Sequence, residues 1–411
     1  MLPKGFLHQH RGTITMRMGT VRSGLPALVG GTLVALCEVA FSAPLLYSVT
    51  DLGTLGGTNS YALGINEHGL VVGGSNEAGS TSYRAAYWNS GVATALSSLG
   101  GDSTALAINS AGQIAGYSYT ADNAVPHATL WSGGTLYDLG GLGGFSRATG
   151  INDAGRVVGF SYLPTYVSSS VAMVWENGST TQLSRLGGSN ARAEGVNNLG
   201  QVVGSSTTAF NATTHATIWN GNAITDLGSL GGISEAWAIN DSGVAVGYSY
   251  TSPSSNVIRA TLWDGVTITD LGSLAGTQSF ATSINSTGQV VGYSTTSGNG
   301  GEHATYWDGG TLIDLNTLLD SSGQGWVLQY AEGINNAGQI VGVGVKPYSG
   351  GVEHAFLLTV VTIPEPATSL LTISALGLLG FCRRRLTHSS VCLPHGLGTS
   401  LQLTERTVQC S

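Results

Sequence analysis

Ile151-Asn152-Asp153-Ala154-Gly155-Arg156-Val157-Val158-Gly159 carries a pattern that recurs seven times along the 411-residue chain. Its asparagine stands at Asn66, Asn109, Asn152, Asn197, Asn240, Asn285 and Asn335, always after an apolar residue. A glycine follows each asparagine by three positions and another by seven, as Gly155 and Gly159 follow Asn152. The spacings run from 43 to 50 residues. A fixed period of this length is the mark of a repeat architecture. Asn at the first position of a turn and Gly at the fourth suit a type I turn, with the glycine free to take positive φ. An apolar extended segment before the turn and Arg156-Val157-Val158-Gly159-Phe160-Ser161-Tyr162 after it then read as a β-hairpin.

Two further strands complete the unit. The third ends at a tryptophan in six copies, Trp88, Trp131, Trp175, Trp219, Trp263 and Trp307, and at Leu358 in the seventh. In His127-Ala128-Thr129-Leu130-Trp131, alternation puts His127, Thr129 and Trp131 on one face. The fourth strand carries Asp-Leu-Gly-x-Leu-Gly-Gly, as in Asp138-Leu139-Gly140-Gly141-Leu142-Gly143-Gly144. Four short antiparallel strands in about 44 residues are the composition of a propeller blade. The chain begins with a spare fourth strand, Tyr47-Ser48-Val49-Thr50-Asp51-Leu52, and the seventh copy stops after its third. The expected fold is therefore an all-β, seven-bladed β-propeller closed by its N-terminal strand. An open β-solenoid is the alternative arrangement of such repeats.

Only 9% of residues are charged, against roughly 25% in an ordinary soluble domain, while 42% are hydrophobic. Residues 44–363 hold seven cationic side chains and 20 acidic ones, a net charge of −13. An acidic body with no basic stripe excludes nucleic acid as the expected partner. The four cysteines, Cys37, Cys382, Cys392 and Cys410, all fall outside the repeats, so the body needs no disulfide and holds no cysteine metal site.

The two ends read as addresses. Lys4, Arg11, Arg17 and Arg22 precede an apolar run over residues 25–37, and small residues follow at Ala40, Ser42 and Ala43. This is the layout of a secretory signal peptide over residues 1–43, cleaved near Ser42 or Ala43. At the other end, Pro364-Glu365-Pro366 is followed by an apolar stretch over 369–382 and then by Arg383, Arg384 and Arg385. Those parts in that order resemble the PEP-CTERM sorting signal of Gram-negative bacteria, here spanning residues 363–385. The resemblance implies a transmembrane helix held by arginines at the cytoplasmic face. It also implies exosortase and the secretion machinery as transient partners, export across the inner membrane, and a final place at the cell surface or outside the cell. The body would touch the membrane only through that helix before processing. Residues 386–411 continue past the basic cluster without repeat or periodicity and are expected to be disordered. The repeats themselves, over residues 44–362, resemble the HAF-repeat family of extracellular bacterial proteins through His354-Ala355-Phe356, its copies at His127, His215 and His303, and the Asp-Leu-Gly-x-Leu-Gly-Gly motif. That family transfers no catalytic residues.

Within the repeats, each candidate site has a structural counterpart. His127, His215, His303 and His354 share one repeat position, so they lie around a ring, too far apart to share one ion at roughly 2 Å. The seven asparagines are accounted for by their turns, and the tryptophans by packing between blades. No metal or other cofactor is expected. Function in a propeller sits where copies differ, on loops at one mouth. Tyr162 and Tyr166, the unmatched Trp237, and the insert holding Trp326 and Tyr330 are such departures. Aromatics among Ser, Thr and Asn suit a carbohydrate, so Tyr162, Tyr166, Trp326 and Tyr330 are the candidate ligand contacts. The expected role is binding or structure in an extracellular matrix, touching exopolysaccharide or a surface protein, and not catalysis. A propeller hydrolase or lyase is the alternative. It would need unrepeated acids and bases gathered at one mouth, whereas Arg192, Glu194 and Lys346 are spread over different copies.

Overall fold

The computed structural model describes residues 45–121, 125–164, 166–346 and 350–361. The signal peptide, the sorting signal with Pro364, Glu365, Pro366 and Arg383, Arg384 and Arg385, its apolar stretch, the 386–411 tail and all four cysteines lie outside them. Among the described residues no helix is long and apolar enough to cross a membrane.

Seven four-stranded antiparallel sheets stand in a ring, as the repeat requires. The first complete blade runs outward from the axis as β2 (Gly56–Ile65), β3 (Val71–Glu77), β4 (Tyr83–Asn89) and β5 (Val92–Ala95). Its innermost strand, β2, lies beside the innermost strands of both neighbouring blades. The last blade takes three strands from the C-terminal part, Val327–Ile334, Ile340–Val345 and Glu353–Val360. Its outer strand is β1 (Tyr47–Asp51), paired from Tyr47 opposite Val360 to Asp51 opposite Phe356. Closure in this way leaves the last blade no unfinished edge.

Each hairpin turn is built alike. Gly69 N donates to Asn66 O at 3.0 Å, and Asn66 N donates to Leu70 O at 3.1 Å. The turn glycines sit at φ between 74° and 84°. This is a type I turn closed by a left-handed glycine, a three-residue hairpin loop. The second glycine has a different cause. The inner strand carries a bulge between Ala62 and Gly64 opposite Gly73, and a Cβ on Gly73 would run into the carbonyl oxygen of Tyr61. The same collision recurs at all seven equivalents.

The tryptophans fill the seams between blades. Trp131 packs with Val72 and Ala85 of the preceding blade and with Ala105 and Ile114 of its own. All six are at most 4% exposed, and Leu358 takes their place in the last blade. The His of the third strand meets the Asp of the fourth: His127 Nδ1 lies 2.9 Å from Asp138, His215 2.8 Å from Asp226, and His303 2.7 Å from Asp314. In the closing blade the pair is His354 and Asp51, 2.9 Å apart and drawn from opposite ends of the chain. Each histidine is thus engaged within its own blade.

Candidate functional site

Aligned on their asparagines, the seven inner strands show what is constant and what is free. Four residues before each asparagine is an alanine, Ala62 to Ala331, with no exposed surface in any blade. The positions on either side of that alanine do not repeat. One step further from the asparagine stand Tyr61, Thr104, Arg147, Arg192, Glu235, Phe280 and Tyr330. One step nearer stand Leu63, Leu106, Thr149, Glu194, Trp237, Thr282 and Glu332. In a strand these two positions share a face, opposite to the alanine. Their side chains cross between inner strands near the axis: Tyr61 Oη lies 3.0 Å from Thr104 Oγ1, and Thr149 Oγ1 donates to Ala193 O at 2.8 Å.

Four of these side chains, Tyr61, Trp237, Phe280 and Tyr330, are aromatic. Trp237 stacks on Phe280 with centroids 5.8 Å apart, Phe280 on Tyr293 at 4.9 Å, and Tyr293 meets Tyr330 edge-on at 4.9 Å. Tyr248 stands edge-on to Trp237 at 5.0 Å. The chain of rings runs across three blades.

Five others, Arg147, Arg192, Glu194, Glu235 and Glu332, are ionisable. Arg147 lies 4.4 Å over the Tyr117 ring and Arg192 4.9 Å over Phe160. Arg192 also donates to Tyr162 Oη at 2.6 Å. Burial, with the charge of Glu235 added, pushes the Glu194 carboxyl up to about 8, against the pull of Arg192 and Arg147. Glu235 is raised by burial as well, although Arg192 and hydrogen bonds from Trp237 and Tyr248 oppose the shift. Burial alone pushes Glu332 up to about 7. At neutral pH Glu194 therefore holds its proton and can donate a hydrogen bond, beside a guanidinium and a second carboxyl. Arg192 and Glu194, distant from Glu235 and Arg147 in sequence, meet here. Lys346 does not: it pairs with Asp51 at 3.0 Å.

The opposite end of the axis is closed by the asparagines. Asn66 Nδ2 donates to Asn109 O at 3.1 Å, and each blade passes the bond on until Asn335 Nδ2 returns it to Asn66 O at 3.1 Å. The amide oxygens cap their own turns, as Asn285 Oδ1 does for Thr287 N and Gln289 N. Both ends of each amide are thus committed to the scaffold. A cavity of about 220 Å³ lies on this face, lined from all seven blades.

Of the aromatics singled out in the sequence, Tyr330 and Trp237 stand on the inner strands and Tyr162 meets Arg192. Trp326 is half-buried against the core of the closing blade, with Leu318 and Leu319. Tyr166 begins the third strand of its blade, paired with Leu163. The sequence names Glu194 as an unrepeated acid but does not single out Glu235, Glu332, Phe280 and Tyr293. The first three of these stand on inner strands, at the positions that vary when the copies are aligned.

Residues 362–385 match the PEP-CTERM protein-sorting motif. That motif marks an exported protein of a Gram-negative bacterium, recognised by an exosortase and sorted toward the cell surface. None of the curated proteins matches the chain. Among solved structures, the chain is similar to the β-propeller domain of the Trilobed protease from Pyrococcus furiosus, at 11% identity and a TM-score of 0.48, covering 78% of this chain and 99% of that one. It is also similar to TolB from Acinetobacter baumannii, at 11% identity and a TM-score of 0.38, covering 75% of this chain and 65% of that one. A third is the acylaminoacyl peptidase of Pyrococcus horikoshii, at 13% identity and a TM-score of 0.44, covering 76% and 53%.

Proposed function

We propose that this is an exported propeller of the HAF-repeat type that binds exopolysaccharide at the cell surface or in the extracellular matrix. In this reading the 1–43 segment is removed on export, and the 363–385 signal is cut by an exosortase that releases or re-anchors the body. The observation that carries it is the lining of the axis. The turn asparagines, the glycines and the buried alanines repeat in all seven blades, while the positions free to vary include Trp237, Phe280 and Tyr330 together with Arg192, Glu194 and Glu235. Stacked rings beside hydrogen-bonding acids and a guanidinium suit a sugar, which has apolar faces and a rim of hydroxyls. The test is calorimetric titration of the protein purified from the producing cells with exopolysaccharide from the same cells. Saturable heat that Trp237→Ala and Tyr330→Ala each weaken about tenfold is the expected result. A correctly folded protein giving no heat would sink the carbohydrate reading.

One observation favours a second reading. A carboxyl held protonated beside another carboxyl is the equipment of a glycoside hydrolase or lyase. Glu194 would be the proton donor. Release of reducing ends from the same polysaccharide, abolished by Glu194→Gln, would establish it; unchanged polymer length after long incubation would dismiss it.

A further inference from the structure

Behind each inner strand, the residue after the conserved second-strand glycine faces the variable position of its own blade. Tyr117, Phe160, Tyr248 and Tyr293 hold this place in four blades. In the fourth blade it is Ser205, opposite Arg192. Beside Ser205 lies a cavity of about 240 Å³ with Arg192 and Glu235 on its walls. The remaining lining is almost entirely hydroxyl and amide: Asn190, Ser205, Ser206, Thr207 and Thr214. The wall is held in place by its own bonds. Ser206 Oγ accepts from Leu186 N at 3.0 Å, Thr207 Oγ1 from Asn190 N at 3.0 Å, and Asn190 Oδ1 from Ser170 N at 2.9 Å. Arg192 gives one of its five donors to Tyr162.

A second feature lies in the same blade. The two strands that supply Ser205 and Thr214 are joined by a loop with Phe210 at its tip. Phe210 is fully exposed and takes φ +60°, a conformation that L side chains rarely adopt. The loop is pinned on both sides: Thr208 N donates to Thr213 O at 2.9 Å, and Asn211 Oδ1 accepts from Ser189 N at 2.7 Å. A strained backbone that presents a bare aromatic to water is a candidate contact surface.

Resting on the carbohydrate reading above, we infer that the fourth-blade pocket holds a single neutral pyranose unit of a polysaccharide. Arg192 and Glu235 bond its hydroxyls, and Phe210 stacks on the neighbouring unit. The size admits one ring, since drug-sized ligands fill about 300–1,000 Å³. The polar wall excludes an apolar guest. A net −13 body with Glu235 in the wall disfavours an anionic sugar, and Arg192 disfavours a cationic one.

The experiment uses the full-length protein, with the methyl glycosides of glucose, galactose and mannose, free glucuronate, and exopolysaccharide fragments as probes. Binding is read by saturation-transfer NMR and calorimetry. Ser205→Phe places here the ring that four other blades carry, and it should abolish glycoside binding while leaving the melting temperature unchanged. Phe210→Ala should weaken fragments about tenfold and leave single glycosides untouched. Glu235→Gln provides a second readout should Ser205→Phe fold poorly, and at least a tenfold loss is expected. Wild-type binding of polysaccharide that Ser205→Phe does not alter, or that Glu235→Gln does not alter, would overturn the pocket and leave the broader reading intact. Preference for glucuronate would overturn the neutral ligand. Failure of the wild type to bind any probe would overturn both.

Discussion

Glu194 is the residue whose chemistry departs furthest from its ordinary behaviour among the carboxyls. Its carboxyl titrates near 8 in the folded chain and near 4.5 when free in water. Between those values the native state keeps a proton that the unfolded chain releases. Stability from this group is therefore complete below pH 4.5 and declines as pH rises toward 8. Glu332, raised to about 7 by burial, adds a slope of the same sign over a shorter window. Glu194→Gln replaces a neutral acid by a neutral amide of the same shape. It should raise the melting temperature at pH 8, leave it nearly unchanged at pH 4.5, and flatten the curve between them. A variant whose melting curve keeps the wild-type pH slope would show that Glu194 ionises freely in the ring. The same residue shows why the site was hard to read in the sequence. Glu194, Glu235 and Arg147 sit about 40–90 positions apart along the repeats, so proximity depends on which inner strands are neighbours and which face each presents.

At the scale of one blade, nearly everything was legible. The hairpin is written within eight residues, its turn and its close approach each demand glycine, and seven copies repeat the message. The seam tryptophans follow from alternation along the third strand. What the blade alone could not show is that its histidine and aspartate pair, because that needs the register of strands three and four. The blades also differ in a way that single copies conceal. Trp219 Nε1 donates to Ser184 O of the preceding connection at 2.9 Å, as Trp131 and Trp307 do to theirs. Trp263 Nε1 is buried and has no hydrogen-bond partner among the described residues. Trp219→Phe loses a buried hydrogen bond along with volume, whereas Trp263→Phe loses volume and relieves an unsatisfied donor. The first should cost about 1 kcal/mol more than the second in urea-unfolding stability. Equal losses would mean that the indole N–H bonds do not hold the seams.

At the scale of the molecule, two devices make a ring out of blades. One is the asparagine circle, where seven amides each bridge one blade to the next and the last bond rejoins the first. It could not be read from the hairpin, because the turn already accounts for the asparagine's side-chain oxygen, and in four copies the glutamine four residues on also accepts from its nitrogen, as Gln113 does from Asn109. The other is β1. It covers Phe356 and Leu358, neither of which has any exposed surface, and it brings Asp51 to His354 and Lys346. Burial would raise the Asp51 carboxyl, but hydrogen bonds from His354, Gly53 and Lys346 hold it below its ordinary 3.8. A carboxylate lowered in the folded state stabilises it above the unfolded value and loses that contribution as pH falls through the folded one. The ring should therefore loosen first at its seam in acid below pH 3.8. Removing residues 44–52 tests the device at neutral pH. The shortened protein should melt well below the wild type, bind a hydrophobic dye, and self-associate through the uncovered edge of the strand Glu353–Val360. Asp51→Asn, which keeps the strand and discards the charge, should fall between the two and lose the acid-dependent step. If the shortened protein melts with the wild type and stays monomeric, six blades and a three-stranded seventh suffice, and the overlap of the chain's two ends is not what closes the ring.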